Sequence, residues 1–150
     1  MKENQMTTSE REVMRVIWAN PSATSKYIST VLEEKMNWKA ATTKTLIGRL
    51  VKKNHVKATE EGRKFKYSAL ITEQESLQES SQALLQQVCT KKRGNIIYQM
   101  IEEITLSLED IEQLEQLLNK KKQSAPETVS CQCTPGQCEC KQEGGVHCGH

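Results

Sequence analysis

The sequence contains no apolar run that approaches the roughly 18 residues of a membrane-spanning helix. Its first ten residues, MKENQMTTSE, also lack the apolar core of a secretion signal. We therefore expect a cytoplasmic protein. In that reducing compartment, clustered cysteines more often form a metal or redox site than a disulfide framework.

Recognisable catalytic sets are missing as well. The chain has three histidines, His55, His147 and His150, and no Ser/His/Asp set, phosphate-binding loop or pair of carboxylates stands out. Its 150 residues suit one domain or two very small ones. We therefore do not expect an enzyme.

Acidic residues are scarce in one part of the chain and basic residues in another. Lys35 to Tyr67 holds ten Lys/Arg and two Glu, a local net charge of +8. Glu73 to Leu118 holds nine Asp/Glu and three Lys/Arg, a local net charge of −6. The basic part is typical of a module that meets a polyanion, and the acidic part indicates a second module with another role.

Helical periodicity predicts three helices in the first part of the chain. Ser9 and Glu12 have the spacing of a capping box, which predicts a first helix from Ser9 to Ala19. Thr24 is the expected N-cap of the second helix. The third helix is predicted from Ala40 to Lys53.

A change to period-2 alternation follows the third helix. The stretches HVKAT and KFKYSAL flank EEGR, which predicts a β-hairpin that turns at Gly62. In the hairpin we interpret Phe65 and Tyr67 as core rather than base-stacking residues. Three helices followed by a hairpin is the order of a winged helix, so we predict a mainly α protein with an N-terminal winged-helix domain.

The third helix has the character of a DNA-recognition helix. At 100° per residue, Thr43, Leu46, Ile47 and Leu50 cluster on one side, and the opposite side is small, polar and cationic. Such a face fits a major groove, and wing cations reach phosphates. The alternative is a solvated helix face. The predicted DNA-contacting residues are Thr42, Lys44, Thr45, Arg49, Lys52, Arg63, Lys64 and Lys66.

Three further short helices are predicted after Thr72, and Ser107 with Asp110 has capping-box spacing before the last of them. Their apolar stripes cannot form a sizeable core alone and need a partner, for which a second copy of the chain is the natural choice. We therefore predict a winged-helix domain at residues 1–71, a helical dimerisation domain at 72–122, and a linker with a Cys-rich tail at 123–150.

The tail contains CQCTPGQCEC, in which two Cys-x-Cys pairs flank a turn. Pro135 and Gly136 fit the central positions of a type II turn, which would bring four sulfurs together. The predicted metal ligands are Cys131, Cys133, Cys138 and Cys140. Four thiolates can hold Zn(II) tetrahedrally and also suit Cu(I), which soft ligands select.

Two other roles for the tail stay open: a reversible disulfide switch and no function. His147, Cys148 and His150 are either auxiliary ligands or part of a frayed end. Cys89 lies among apolar helix positions and is interpreted as a small buried hydrophobe rather than a ligand.

Three stretches carry a family resemblance: TTSEREVMRVIW, NWKAATTKTLIGRLVKKNHV and GRKFKYSAL. They resemble the DNA-binding domain of the penicillinase-repressor (BlaI/MecI-like) superfamily, and the helices after Thr72 resemble its dimerisation domain. The family's recognition-helix pattern falls on Trp38, Thr42, Lys44, Thr45 and Arg49. The Cys-x-Cys-x4-Cys-x-Cys tail resembles one branch, the CopY-type copper-responsive repressors.

The resemblance implies a homodimer that binds a palindromic operator in its zinc-bound form. It also implies release from DNA when Cu(I) displaces zinc from the tail. As a further partner we expect a cytosolic copper chaperone that hands over the Cu(I). Two alternatives are an antibiotic-responsive repressor inactivated by proteolysis and a metallothionein-like copper-binding protein.

Overall fold

The computed structural model describes residues 5–139, and the chain divides into two compact units, Met1–Ser81 and Gln82–His150. Helices dominate both units, and a short 3-10 helix, Thr90–Lys92, precedes α5. The helices and strands of the described residues are α1 (Thr8–Ala19), β1 (Ala23–Thr24), α2 (Ser25–Met36), α3 (Ala40–Lys52), β2 (Val56–Glu61), β3 (Lys64–Ala69), α4 (Glu73–Gln86), α5 (Arg93–Glu103) and α6 (Leu108–Lys122). The predicted mainly α class is confirmed.

Helix α1 begins two residues earlier than its predicted capping box. Thr7, not Ser9, is the N-cap, and its side chain accepts the backbone N–H of Glu10. The Glu10 carboxylate accepts the N–H of Thr7 in return, which completes the capping box. The predicted pairing of Ser9 with Glu12 is therefore wrong, because this register leaves both residues inside the helix.

The core of the first unit lies where α1, α2 and α3 meet the sheet. Thr24 is the N-cap of α2 as predicted, since its hydroxyl accepts the N–H of Tyr27. The side predicted to face inward on α3 is buried. The core residues are Val13, Met14, Val16, Ile17, Ala23, Ile28, Leu32, Leu46, Ile47, Leu50 and Val56.

The sheet has three antiparallel strands in the order β1-β3-β2. The predicted hairpin is confirmed, with Glu61 opposite Lys64 and Gly62 at φ +66°, in the left-handed region that glycine adopts without strain. Strand β1 was not predicted, because its two residues are too few to show alternation. It pairs Ala23 with Tyr67 and so fastens the segment before α2 to the wing.

The second unit leaves the apolar stripes of its helices uncovered. The Ser107–Asp110 capping box at the start of α6 is confirmed. Neither α5 nor α6 contains a buried residue. The large apolar side chains exposed on or beside these two helices are Ile97, Tyr98, Met100, Ile101, Ile104, Leu108, Ile111, Leu117 and Leu118.

Within residues 5–139, no helix combines the length and apolar character needed to cross a membrane.

Candidate DNA-binding surface and metal centre

The outward side of α3 is polar and positively charged. Burial of Thr43, Leu46, Ile47 and Leu50 fixes the rotation of the helix about its axis. The residues predicted to contact DNA from this helix are all exposed: Thr42, Lys44, Thr45, Arg49 and Lys52. Their contact with DNA stays a prediction.

The cations of this helix face have no acidic partner among the residues that the structure describes. The ion pairs among the described residues involve the basic residues Arg15, Lys35, Lys53 and Lys66. None of these four lies on the outward side of α3. Their positive charge is therefore not neutralised within the described part of the chain and is available to phosphate groups.

The three basic residues of the wing that are predicted to contact DNA differ in exposure and in ion pairing. Arg63 and Lys64 are exposed. Lys66 is half-buried, and its Nζ lies 2.8 Å from Oε2 of Glu61. An exposed pair of this kind is weak, but it places a negative charge beside Lys66 that Arg63 and Lys64 do not have.

Phe65 lines two grooves formed by the wing and the helices of the first unit. One groove, of about 500 Å³, is lined by Lys44 and Gly48 of α3 together with Phe65. The other, of about 450 Å³, is lined by Arg63, Lys64 and residues of α2. Tyr67 packs against the core as predicted, but Phe65 is 49% exposed, so its interpretation as a core residue is wrong.

Four cysteines of the second unit bring their sulfur atoms together. Cys89, Cys131, Cys133 and Cys138 place all their Sγ atoms within 4.8 Å of one another. The Sγ atoms of Cys89 and Cys131 are 3.3 Å apart, and those of Cys131 and Cys138 are 3.4 Å apart. We call this group the thiol cluster.

The backbone of the tail explains how two separated Cys-x-Cys arms converge. The N–H of Gln137 donates to the carbonyl of Thr134 at 3.0 Å, which closes a turn around Pro135 and Gly136. Gly136 has φ +93°, as the third residue of a type II turn requires. The predicted turn is confirmed, and it places Cys138 back against Cys131.

The composition of the thiol cluster differs from that of the predicted ligand set. Three predicted cysteines belong to the thiol cluster, whereas Cys140 lies outside the described residues, as do His147, Cys148 and His150. Cys89 takes part in the cluster, which corrects its interpretation as a hydrophobe among apolar helix positions. Cys89 lies in the short segment between α4, which ends at Gln86, and the 3-10 helix Thr90–Lys92, so it is not a position inside a helix.

The electrostatics at Cys133 favour its neutral thiol. Desolvation raises the pKa of Cys133 to about 12, and hydrogen bonds with Cys131 and Cys89 contribute to the increase. A bound metal ion reverses this balance, because coordination deprotonates a thiol. Cys138 is in the disulfide-bonded state, so metal binding through its sulfur requires reduction of that bond.

The spacing of the sulfur atoms fits a shared metal ion. A Zn–S bond of about 2.3 Å in a tetrahedron places sulfurs roughly 3.8 Å apart. The observed separations of 3.3 and 3.4 Å, and the 4.8 Å limit for the group, bracket that value. Once the disulfide bond of Cys138 is reduced, the four sulfurs can therefore hold a metal in a site of this size.

Three helices, a hairpin wing and a cationic helix face define a winged-helix DNA-binding protein that also has a thiol cluster. Residues 6–120 match the family model described as the penicillinase repressor. The chain therefore belongs to the penicillinase repressor family, and it is a transcriptional repressor with a DNA-binding domain rather than an enzyme.

Individual proteins are also similar to this chain. An uncharacterized 16.5 kDa protein of Latilactobacillus sakei is 44% identical over 93% of this chain and 96% of its own length. The penicillinase repressor of Bacillus licheniformis is 30% identical over 79% of this chain and 92% of its own length. The solved DNA-binding domain of the repressor BlaI is 33% identical, covers 48% of this chain and 88% of that domain, and has a TM-score of 0.45.

Proposed function

We propose that the protein is a copper-responsive transcriptional repressor of copper-homeostasis genes. Its zinc-bound homodimer binds a palindromic operator in the cytoplasm, and Cu(I) releases it by displacing zinc. The observation that carries this proposal is the thiol cluster in a chain whose family model ends at residue 120. The repressor fold accounts for DNA binding, and the added cysteines account for the signal.

The DNA-binding step is assigned to the exposed side of α3 and to the wing. Lys44, Arg49 and Lys52 form no ion pair with any described residue, so they are available to bases and phosphates. The first two turns of α3 expose Thr42 and Thr45, whose short side chains permit a close approach to the major groove. Arg63 and Lys64 extend the positive surface along the DNA backbone.

Dimerisation is assigned to α5 and α6. Both helices are amphipathic in sequence, yet neither has a buried residue in the single chain. Ile97, Ile101 and Leu117 are among the apolar side chains left exposed. Burying such stripes against a second copy follows from the hydrophobic effect, and two-fold symmetry gives two recognition helices that suit a palindrome.

The sensing step is assigned to Cys131, Cys133, Cys138 and Cys140. Zn(II) prefers four ligands in a tetrahedron, whereas Cu(I) is satisfied by two or three thiolates and is selected by soft sulfur. Exchange of one metal for the other therefore changes how the tail is held. The proposal requires only that Cu(I) reaches the tail, with or without a chaperone.

The test is a metal titration of operator binding. A palindromic duplex is first selected from a random pool with reduced, zinc-loaded protein, and its affinity is then measured as Cu(I) is added. We expect an affinity loss of about a hundredfold, which corresponds to roughly 2.7 kcal/mol of coupling. The matched control replaces Cys131, Cys133, Cys138 and Cys140 together by Ser and should show no copper response.

An unchanged affinity of the wild-type protein on copper addition would overturn the proposal. An equal copper response in the four-Ser control would do the same, because the effect would then not arise at the tail. A protein that binds Cu(I) but shows no sequence preference in the selection would instead be the metallothionein-like alternative.

The second candidate function is an antibiotic-responsive repressor inactivated by proteolysis. It is favoured by the penicillinase repressor of Bacillus licheniformis, whose match spans most of this chain. That match leaves about a fifth of this chain uncovered, and the tail would then have no role. Induction of the target genes by a cell-wall antibiotic but not by copper salts would support this alternative.

A further inference from the structure

We propose that Cys89 is a metal ligand, and that through it the metal bound by the tail acts on the corner between α4 and α5. This inference rests on the proposed function, because it concerns how the same metal is felt by the helical unit. It makes Cys89, which lies outside the Cys-x-Cys-x4-Cys-x-Cys motif and 42 residues before Cys131, the fourth thiolate of the tetrahedral site beside Cys131, Cys133 and Cys138. Cys89 then takes the place that the motif alone would give to Cys140.

The surroundings of Cys89 are those of a ligand. A structural cysteine behaves as a small hydrophobe and packs among aliphatic side chains. Cys89, 9% exposed, instead forms a buried pair with Cys131, 6% exposed, and the partly buried groups packed against this pair are Cys133 and Cys138. Its Sγ donates to the Sγ of Cys131 at 3.3 Å.

The backbone at Cys89 holds this sulfur in place. Cys89 is the N-cap of the 3-10 helix Thr90–Lys92, and its carbonyl accepts the N–H of Lys92 at 2.8 Å. This hydrogen bond fixes the backbone of Cys89 within the corner.

A second contact fastens the tail to the same corner. The hydroxyl of Thr90 donates to the carbonyl of Ser130 at 2.6 Å. Cys89 and Thr90 thus contact Cys131 and Ser130, so two consecutive residues of the corner meet two consecutive residues of the tail. This arrangement places the Cys131 sulfur beside that of Cys89.

The corner is linked in turn to the helices on either side of it. Nε of Arg93, the first residue of α5, donates to the carbonyl of Leu85 at 2.8 Å and lies 3.3 Å from the carbonyl of Val88. A metal that holds Cys89 therefore restrains the end of α4 and the start of α5 together. If Cu(I) needs fewer thiolates than Zn(II), exchange releases Cys89 and removes this restraint.

The first test is a Co(II) titration of the full reduced chain, in which the sulfur-to-metal charge-transfer absorbance reports the number of thiolate ligands. Loss of one ligand in four predicts that Cys89→Ser lowers the absorbance at saturation by about one quarter and weakens Co(II) binding at least tenfold. Cys131→Ser should give a similar loss. Ser124→Ala, an exposed position of the segment before the tail cysteines, is the control and should leave the absorbance unchanged.

The second test needs no mutation and so does not depend on the folding of a variant. Alkylation of Cys89 by iodoacetamide is followed by mass spectrometry with and without Zn(II). We expect Zn(II) to slow alkylation of Cys89 at least tenfold. An alkylation rate that does not respond to Zn(II), or a Cys89→Ser variant with wild-type Co(II) absorbance and affinity, would overturn the inference.

Operator binding separates a failure of this inference from a failure of the proposed function. If Cu(I) fails to release the wild-type protein, the proposed function is wrong. If Cu(I) releases the wild-type protein and Cys89→Ser responds equally, the proposed function stands and the role of Cys89 is wrong. We expect the copper response of Cys89→Ser to fall at least tenfold.

Discussion

The ammonium group of Lys53 lies 2.8 Å from Oε2 and 2.9 Å from Oε1 of Glu10, 43 residues earlier in the chain. The Glu10 side chain is 1% exposed and that of Lys53 is 19% exposed. Lys53 is also the C-cap of α3, and its ammonium group donates to the carbonyl of Gln5. The pair therefore ties the start of α1 to the end of the candidate recognition helix.

Removing the positive charge of this pair should destabilise the first unit. Lys53→Met leaves the Glu10 carboxylate buried without a counter-charge, and such changes cost about 3 kcal/mol or more. Urea unfolding measures the loss. The matched control is Lys35→Met, which removes the exposed partner of Glu12 and should cost less than about 1 kcal/mol. Equal effects of the two substitutions would contradict the assigned role of the buried pair.

Replacing Gly48 by Ala should raise the stability of α3 but lower the affinity for DNA. An added Cβ would meet no atom within 4 Å, so Gly48→Ala should stabilise α3 by about 0.5–1 kcal/mol. The same methyl group would project into the groove beside Lys44 and Phe65 and should weaken DNA binding. Thermal unfolding and fluorescence anisotropy with duplex DNA measure the two effects.

Gly94→Ala is the control for this prediction, because Gly94 lies in α5 and also has open space around it. It should leave DNA affinity unchanged. A Gly48→Ala variant that binds DNA as tightly as the wild type would show that the duplex does not approach α3 at this position.

The two kinds of wing cation should differ in their salt dependence. Each phosphate contact contributes about 0.9 to the slope of log affinity against log salt concentration. Arg63→Gln should reduce the slope by about this amount. Lys66→Gln should reduce it less, because Glu61 lies beside Lys66. Anisotropy titrations with duplex DNA of arbitrary sequence between 50 and 200 mM salt, a range over which about six contacts cost roughly a thousandfold, provide the measurement.

The turn between the two Cys-x-Cys arms should be sensitive to its glycine. Gly136 has φ +93°, and a Cβ in the left-handed region costs about 1–2 kcal/mol, so Gly136→Ala should weaken Co(II) binding roughly 5- to 30-fold. Gly62→Ala introduces similar strain at φ +66° in the wing and should not change metal affinity. Unaltered Co(II) binding by Gly136→Ala would mean that the turn does not position the ligands.

The carboxyl group of Asp110, in the capping box of α6, should have a pKa below the usual range of an aspartate. The hydroxyl and backbone N–H of Ser107 hydrogen-bond the Asp110 carboxylate and lower its pKa. Because the folded-state pKa is lowered, the stabilisation is present above the unfolded-state pKa and is lost as pH falls through the folded-state value. Ser107→Ala should raise the Asp110 pKa toward its usual value, as measured by NMR titration.

An internal control for this titration is Glu12, whose pKa is lowered mainly by its hydrogen bond with Lys35. Ser107→Ala should leave the Glu12 pKa where it is. An Asp110 pKa that does not respond to the substitution would show that the capping box is not formed in solution.

Local patterns predicted the elements of the fold but not every register within them. The inward side of α3 and the turn at Gly62 were predictable, because each depends on spacing within one segment. The cap of α1 was not, since Thr7 with Glu10 and Ser9 with Glu12 both have capping-box spacing. The observed cap places Glu10 where it contacts Lys53. A pattern within one segment cannot contain this contact, because the two residues are 43 positions apart.

The candidate metal site was predictable to the extent that it is local. Cys131, Cys133 and Cys138 are neighbours in sequence, and the Pro135–Gly136 turn could be predicted from its residue types. Cys89 belongs to the cluster because the chain returns to it after two helices. The exposure of Phe65 has a similar cause, since alternation identifies a two-faced strand but not how completely its inner face is covered.

The contact of Cys89 with Cys131 joins two points of the chain 42 residues apart, and α5 and α6 lie between them. A metal bridging these sulfurs would close a covalent ring around both helices. By the chain-entropy relation for cross-links, a ring of this length disfavours the unfolded state by about 4 kcal/mol. Helices α5 and α6 leave their apolar stripes exposed in the single chain. Part of the free energy that keeps them folded would then come from the bound metal, and would be lost when metal is scarce.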